Sequence, residues 1–266
     1  MTLRVCLAGA TGWAGSELAR AIARAPDLDL VAAVSRTYAG QDLRAALGSD
    51  LPPCPVFPTA QQALERSCNV FVEYTGVAAA KANVLAALDR GAHVVVGSSG
   101  LTDEDYAQID RIAQAKGLGV LACGNFALTV VLLQKFAELA ARYIPQWEII
   151  DYAHDGKRDA PSGTVRELAH RLAAVRTPQP SVPLEQTAGV REARGATLAG
   201  SQVHSIRLPG FVISAEVIFG MPDQKLTLRH DAGDSARPYV DGALLAVRKA
   251  PMLVGLHRGL DRVLDL

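Results

Sequence analysis

The 266-residue sequence has few cysteines, no net charge and no long apolar run. Its four cysteines, Cys6, Cys54, Cys68 and Cys123, are scattered and form no CxxC pair. This pattern predicts reduced, mostly buried thiols and argues against a disulfide framework or a metal site. Lys and Arg total 27, as do Asp and Glu, which argues against nucleic-acid and anionic-membrane partners. Any anionic ligand must therefore be held by a local site.

No apolar run approaches the roughly 20 residues that a membrane helix needs. The first residues run directly into a strand pattern, so we expect no signal peptide, no membrane partner and a cytoplasmic protein. The length predicts about two domains, or one large domain, with a sizeable core.

The first part of the sequence alternates strand-like and helix-like segments. Short apolar runs at 3–8, 30–34, 70–74, 94–96 and 119–122 are separated by helical patterns at 16–25, 78–90 and 102–116. Continuous apolar strands separated by helices are typical of a parallel sheet covered on both faces. We therefore predict an α/β fold whose dinucleotide-binding domain, at 1–124, is a Rossmann-type doubly wound sheet.

The pattern changes after residue 125. Helical patterns at 128–141 and 165–175 alternate with β-rich runs at 147–152, 201–208, 211–219 and 225–230. These predict a second, α+β domain at 125–235 with a mixed or antiparallel sheet, and the polar, Pro-rich segment 178–200 predicts a flexible loop. A helix at 239–249 is expected to return to the first domain, which then includes 236–266.

The strongest local signal is a glycine-rich turn after the first strand. Its residues are Gly9, Ala10, Thr11, Gly12, Trp13, Ala14 and Gly15. The spacing is a G-x-x-G-x-x-G variant, because Thr11 and Ala14 replace two glycines of the usual pattern. A plain tight turn has similar composition, but the position between strand and helix predicts a dinucleotide site. Trp13 either flanks the cofactor or covers the helix start.

The end of the second strand carries Ser35 and Arg36 and has no acidic residue. An acid there would bind the ribose 2′-hydroxyl of NADH, whereas a guanidinium suits the 2′-phosphate of NADPH. We predict a preference for NADPH. NADH use stays open if Arg36 is only a solvated loop residue.

Two later strand ends combine small residues with hydrogen-bonding side chains. They are Gly97, Ser98 and Ser99 after one strand, and Cys123, Gly124, Asn125 and Phe126 after another. Ligands of open α/β sheets lie beyond the carboxyl ends of strands, so these residues are cofactor candidates. Such turns also occur without any ligand.

A polar loop, HDGKRDAPSGT, precedes the helix predicted at 165–175. Its candidates for binding a small anionic substrate that needs a proton are His154, Lys157, Ser162, Gly163 and Thr164. The alternative is a charged surface loop ending in a capped helix.

Seven segments of the sequence resemble the 4-hydroxy-tetrahydrodipicolinate reductase family, also called dihydrodipicolinate reductase. They are GATGWAG at 9–15, EYT at 73–75, GSSG at 97–100, GNF at 124–126, KRDAPSGT at 157–164, HSIRLPGFVISAEVIFG at 204–220 and LRHD at 228–231. The likeness spans nearly the whole chain, and KRDAPSGT is its most specific part.

This resemblance implies a two-domain, NAD(P)H-dependent reductase of the lysine (diaminopimelate) pathway. Its substrate is an unsaturated cyclic imine with two carboxylates, and its second domain forms a homo-oligomer, a tetramer or dimer. Carried over by position, the cofactor contacts are Gly9 to Ala14, Ser35, Arg36, Thr75, Gly97 to Ser99 and Cys123 to Phe126. The substrate contacts are His154, Lys157, Ser162, Gly163 and Thr164, with Lys157 and His154 in the catalytic role.

The main departure from the family pattern is at residue 153, and smaller ones are at Val77 and at 127–129. The family motif opens with two adjacent histidines, of which the first is the acid/base, whereas this sequence has Ala153 followed by His154. Alanine cannot transfer a proton, so we expect Lys157 to act as proton donor. Two alternatives stay open: an NADPH-dependent reductase of another cyclic imine, since an iminium needs no prior protonation, and a non-catalytic NADPH-binding sensor.

Overall fold

The computed structural model describes residues 2–264 and divides into two compact units. Unit 1 comprises Met1–Leu128 and Ala236–Leu266, and unit 2 comprises Thr129–Ser235. The functional domains expected at 1–124 with 236–266 and at 125–235 stay a prediction.

Twelve strands and eight α-helices are present among the described residues. The strands are β1 (Leu3–Ala8), β2 (Leu28–Val34), β3 (Val56–Phe57), β4 (Val70–Glu73), β5 (His93–Val96), β6 (Gly119–Ala122), β7 (Trp147–Ala153), β8 (Ala196–Leu198), β9 (Ser201–Arg207), β10 (Ile213–Met221), β11 (Gln224–Ala232) and β12 (Gly255–Arg258). The helices are α1 (Trp13–Arg24), α2 (Arg44–Leu47), α3 (Ala60–Ala63), α4 (Val77–Asp89), α5 (Asp103–Lys116), α6 (Leu128–Tyr143), α7 (Gly163–Val175) and α8 (Val240–Lys249).

Unit 1 contains a seven-stranded sheet of order β12-β6-β5-β4-β1-β2-β3, in which every pair is parallel. The central strands are almost fully buried because helices lie on both of their faces. Helices α3, α4 and α5 pack on the face that carries Phe71 and Val94. Helix α8 contacts both α1 and β5. The predicted doubly wound parallel sheet is confirmed.

Four short elements of unit 1 were not predicted: α2, α3, β3 and β12. Each spans only two to four residues, which is too short for a hydrophobic period to be visible. Strand β12 is the most informative, because it pairs in parallel with β6 at the edge of the sheet. The carboxyl-terminal segment therefore supplies both α8 and an edge strand to unit 1.

Unit 2 has a five-stranded mixed sheet of order β11-β10-β7-β9-β8. Strand β7 lies between β9 and β10 and is parallel to β9, whereas the other pairs are antiparallel. Helices α6 and α7 pack on one sheet face, around Trp147, Ile149 and Phe219. The predicted α+β unit with a mixed sheet is confirmed.

The prediction of a flexible loop at 178–200 is wrong for part of that segment. It contains two single-turn 3₁₀ helices, Leu184–Gln186 and Arg191–Arg194, and it ends in β8, which pairs with β9. Composition favoured a loop because the strand is only three residues long; pairing with β9 stabilises it, and Leu198 packs against the apolar core of unit 2.

The four cysteines form no disulfide within residues 2–264. Cys6, Cys54 and Cys123 are buried and Cys68 is half-buried, which agrees with the predicted burial. Over residues 2–264, no helix combines the length and the apolar character that crossing a bilayer requires.

Candidate active site

The glycine turn joins β1 directly to α1. Gly9 has φ +80°, and a Cβ there would overlap with the backbone oxygen of Tyr74. A Cβ at Gly15 would overlap with the backbone oxygen of Gly9, so only glycine permits this close approach of helix and strand. The helix begins at Trp13, three residues earlier than its apolar spacing predicted.

The start of α1 has the features of an anion site. Gly12 is its N-cap, and no side chain caps the first helical N–H groups, which leaves them available to an anion. Trp13 is 61% exposed, and its ring meets the edge of Tyr239 with the ring centroids 5.8 Å apart. This contact lies within unit 1, and the role of Trp13 toward the cofactor stays a prediction.

A hydroxyl pair links the glycine turn to the end of β2. Thr11 Oγ1 lies 2.8 Å from Ser35 Oγ. Threonine, at a position where the common pattern has glycine, thus forms a hydrogen bond between the turn and the residue after β2. Arg36 follows at the surface, and its guanidinium makes no hydrogen bond or ion pair with the described part of the chain. The cation is therefore available to an anionic group beyond the strand end.

The end of β4 carries a buried carboxylate that sequence reasoning did not single out. Glu73 is completely buried and accepts hydrogen bonds from Thr75 N at 2.7 Å, from Asn83 Nδ2 at 2.8 Å and from Ser98 Oγ at 3.0 Å. The Thr75 hydroxyl also donates to it. Two cofactor candidates, Thr75 and Ser98, are thus held by one acid. The available signal was an acidic residue closing an otherwise apolar strand.

Close packing around Tyr74 explains the glycine at 97. A Cβ at Gly97 would overlap with the Tyr74 ring, which also packs on Phe126 with centroids 5.6 Å apart. The Tyr74 hydroxyl is buried without a hydrogen-bond partner, and this burial raises its pKa. Asn125 accepts a hydrogen bond from the Ala127 backbone at 2.8 Å. Phe126 and Cys123 are buried, whereas Gly124 and Ser99 are exposed.

The cofactor candidates lie at the carboxyl edge of one sheet. In spatial order they follow β6 (Cys123 to Phe126), β5 (Gly97 to Ser99), β4 (Thr75), β1 (Gly9 to Ala14) and β2 (Ser35, Arg36). A close backbone turn, uncapped helical N–H groups and a free guanidinium along one edge fit a phosphorylated dinucleotide.

In unit 2, the polar loop ends at the N-terminus of α7. Ser162 is the N-cap, and its Oγ accepts from Val165 N at 3.4 Å. Gly163 is exposed and Thr164 is half-buried in the first turn. The start of α7 is therefore capped, as the alternative of a charged surface loop ending in a capped helix predicts. Its first turn nevertheless lies at the surface.

The loop is attached to the sheet by a buried ion pair that sequence reasoning missed. Asp151 is completely buried, and its Oδ2 accepts from Ser162 N at 2.8 Å and from an Arg207 terminal nitrogen at 2.7 Å. The same nitrogen donates to the Asp159 backbone oxygen at 2.6 Å. Asp151 belongs to β7 and Arg207 to β9, and these strands are adjacent and parallel.

Lys157 lies within this loop. Its Nζ is 2.7 Å from Asp159 Oδ1, and its side chain is 23% exposed. The hydrogen bond from Lys157 lowers the pKa of the exposed Asp159 carboxyl group. His154 is exposed, whereas Ala153, at the position of the family's first histidine, is completely buried at the end of β7. The loop before α7 thus carries Lys157 and an exposed histidine, while the position of the family's first histidine holds a buried alanine.

Two family models match this chain. The model for the amino-terminal part of dihydrodipicolinate reductase matches residues 3–126, and the carboxyl-terminal model matches residues 129–264. The chain belongs to the dihydrodipicolinate reductase family. This is a family of NAD(P)H-dependent oxidoreductases, so membership favours an enzyme over the NADPH-binding sensor.

Relatives of similar length support this membership. A 4-hydroxy-tetrahydrodipicolinate reductase from Moorella thermoacetica is 39% identical over 267 residues, covering 99% of this chain and 98% of its own. The enzyme of the same name from Thermosynechococcus vestitus is 38% identical, covering 98% and 97%. A dipicolinate-bound dihydrodipicolinate reductase from Paenisporosarcina sp. TG-14 superposes with a TM-score of 0.89 at 31% identity, covering 99% and 100%.

Proposed function

We propose that this chain reduces 4-hydroxy-tetrahydrodipicolinate in lysine biosynthesis, with NADPH as cofactor and Lys157 as proton donor. The observation that carries the proposal is the position of Lys157, a cationic donor in a loop that ends at the exposed first turn of α7. The ammonium and the helical N–H groups together attract a carboxylate, and the ammonium also holds a proton to transfer. The bound cofactor supplies the hydride.

Each candidate residue takes a role that its surroundings allow. Lys157 holds Asp159 until a substrate carboxylate displaces that carboxyl group. After the 4-hydroxyl group has left as water and the hydride has added, Lys157 donates its proton to the ring carbon made electron-rich by reduction. Ser162, Gly163 and Thr164 bind the carboxylate through the first turn of α7, and exposed His154 provides a second polar contact. In unit 1, Gly9 to Ala14 bind the pyrophosphate, while Thr75, Gly97 to Ser99 and Cys123 to Phe126 line the nicotinamide half.

The test follows NADPH oxidation with freshly prepared 4-hydroxy-tetrahydrodipicolinate, beside a simple cyclic imine. The Lys157→Ala variant should lose at least about a hundredfold in kcat/KM, since positioned proton donors contribute on that order. The matched control is Lys225→Ala, which removes an exposed lysine of β11 in the same unit and should leave turnover unchanged. If Lys157→Ala stays within about threefold of wild type for every imine, a difference well under 1 kcal/mol, Lys157 is not the acid.

Ala153 favours a second candidate, reduction of a different cyclic imine. A methyl group fills this buried position, so the usual imidazole acid is absent from it. A substrate that is already an iminium needs no such acid before hydride addition. Faster turnover of the simple imine than of 4-hydroxy-tetrahydrodipicolinate would favour this candidate. A large gain of dipicolinate-pathway activity in Ala153→His would identify the missing imidazole as limiting.

We further propose a cytoplasmic homo-oligomer, a tetramer or dimer. Four cysteines without a disulfide among the described residues suit a reducing compartment. Opposite α6 and α7, the sheet of unit 2 carries half-buried apolar residues, Ile150, Ile206 and Ile218, that a second copy would cover. Light scattering coupled to gel filtration decides the association state, and a monomer at micromolar concentration would contradict the proposal.

A further inference from the structure

Glu73 is a buried carboxylate among the cofactor candidates of unit 1. The inference drawn from it rests on the proposed NADPH chemistry. Sheet order places Arg36 beyond β2 and the glycine turn beyond the neighbouring β1. A dinucleotide with its 2′-phosphate at Arg36 and its pyrophosphate at the turn would direct its nicotinamide half toward β4, β5 and β6. Glu73 is the last residue of β4.

The groups around Glu73 donate hydrogen bonds to both oxygens of its carboxylate. One oxygen accepts from the Thr75 backbone N–H and from the hydroxyls of Thr75 and Ser98, while the other accepts from the Asn83 amide nitrogen. A backbone N–H and an amide nitrogen can only donate, so both oxygens act as acceptors. These bonds offset part of the cost of burying the charge.

All of these donors are neutral. Within residues 2–264, Glu73 has no ion-pair partner, although it is completely buried. A buried charge without a counter-charge is costly, and its field is weakly screened in the protein interior. The reduced nicotinamide ring is uncharged, whereas the oxidised ring carries a positive charge. An oxidised nicotinamide bound there would therefore supply the counter-charge that Glu73 lacks.

We infer that the Glu73 carboxylate stabilises the oxidised nicotinamide relative to the reduced form and so makes the bound cofactor a stronger hydride donor. A fixed charge aimed at developing charge requires no reorganisation during reaction. Glu73 acts through its field and through the positions of Thr75 and Ser98.

The experiment measures the dissociation constants of NADP⁺ and NADPH without substrate, by calorimetry and by NADPH fluorescence. Glu73→Gln keeps the size of the side chain but removes the charge. It should weaken NADP⁺ binding about tenfold while changing NADPH binding less than about twofold, and a tenfold ratio corresponds to about 30 mV in the potential of the bound couple. Glu73→Asp keeps the charge, and its ratio should stay within about twofold of wild type.

Two further variants keep the inference falsifiable. Glu65→Gln removes an exposed carboxylate of the same unit and should leave the ratio unchanged. Asn83→Lys places an ammonium group beside the Glu73 carboxylate and should shift the ratio in the same direction as Glu73→Gln. It provides the test if Glu73→Gln does not fold. A folded Glu73→Gln or Asn83→Lys variant whose ratio stays within about twofold of wild type overturns the inference. An equal loss for both nucleotides also overturns it, because a purely structural role predicts that result. Since no substrate is present, neither outcome depends on which imine the enzyme reduces.

Discussion

One terminal nitrogen of Arg207 lies 2.7 Å from the Asp151 carboxylate and 2.6 Å from the backbone oxygen of Asp159. The side chain thus connects two parallel strands to the loop that carries Lys157. Because Asp151 is completely buried, this connection affects both stability and the placement of the loop.

Replacing Arg207 by alanine should destabilise the protein by about 3 kcal/mol or more, because it leaves the buried Asp151 carboxylate without its cation. Urea unfolding followed by circular dichroism measures this change. Arg191→Ala removes an arginine of the same unit whose side chain is 61% exposed, and its effect should stay within about 0.5 kcal/mol. Equal losses in the two variants would contradict the importance of the buried pair.

Gly97→Ala should destabilise unit 1 by roughly 1–3 kcal/mol, since the added methyl group overlaps with the Tyr74 ring, which Phe126 holds in place. Thermal unfolding is the measurement. Gly76 is extended and has open space at its Cβ position, so Gly76→Ala is the matched control and should be tolerated. A Gly97→Ala variant as stable as wild type would show that the aromatic pair relaxes freely.

Stability should decrease as the pH falls below about 6.5, partly through His230. Burial lowers the pKa of this residue, so the unfolded chain binds its proton at a higher pH than the folded chain does. In that window the unfolded state therefore binds more protons, and stability rises with pH. Its Nδ1 lies 2.8 Å from Thr129 Oγ1, a contact that links β11 to α6.

Urea unfolding between pH 7 and pH 5 tests this dependence. His230→Gln should flatten the slope, whereas His170→Gln, which replaces an exposed histidine of α7, should leave it unchanged. An unaltered slope in His230→Gln would assign the acid sensitivity to other groups.

Arg36→Ala should raise the KM for NADPH about tenfold, equivalent to 1.4 kcal/mol, and leave the KM for NADH nearly unchanged. The guanidinium has no partner among the described residues, so its removal does not disturb a contact of the fold. Arg66→Ala, another exposed arginine of unit 1, is the control. Equal effects on the two cofactors, or better kcat/KM with NADH in the wild-type enzyme, would contradict the predicted preference.

Local sequence predicted those parts of the protein whose determinants are close together in the chain. The glycine turn is one case, because Gly15 is required by its contact with the backbone of Gly9 within the same strand–turn–helix unit. The capped start of α7 is another, since Ser162 lies three residues before the N–H that it accepts from. The parallel sheet follows from apolar runs separated by helices.

Long-range pairing accounts for what sequence reasoning missed. Asp151 and Arg207 are 56 positions apart, and they meet only because β7 and β9 are adjacent. Glu73 and Asn83 meet because α4 packs back on the strand that precedes it. Neither pair leaves a periodic signal, and β8 is too short to show one.

The place of β12 at the edge of the first sheet, beside β6, also constrains the order in which the molecule is completed during synthesis. The ribosome delivers β1 to β6 early, then the whole of unit 2, and only afterwards α8 and β12. Until residue 258 has been made, β6 remains an exposed edge and the α8-facing surfaces of α1 and β5 lack their cover. Synthesis of unit 1 therefore begins before that of unit 2 and ends after it. A truncated chain without α8 and β12 has an incomplete unit 1 but retains every residue of unit 2.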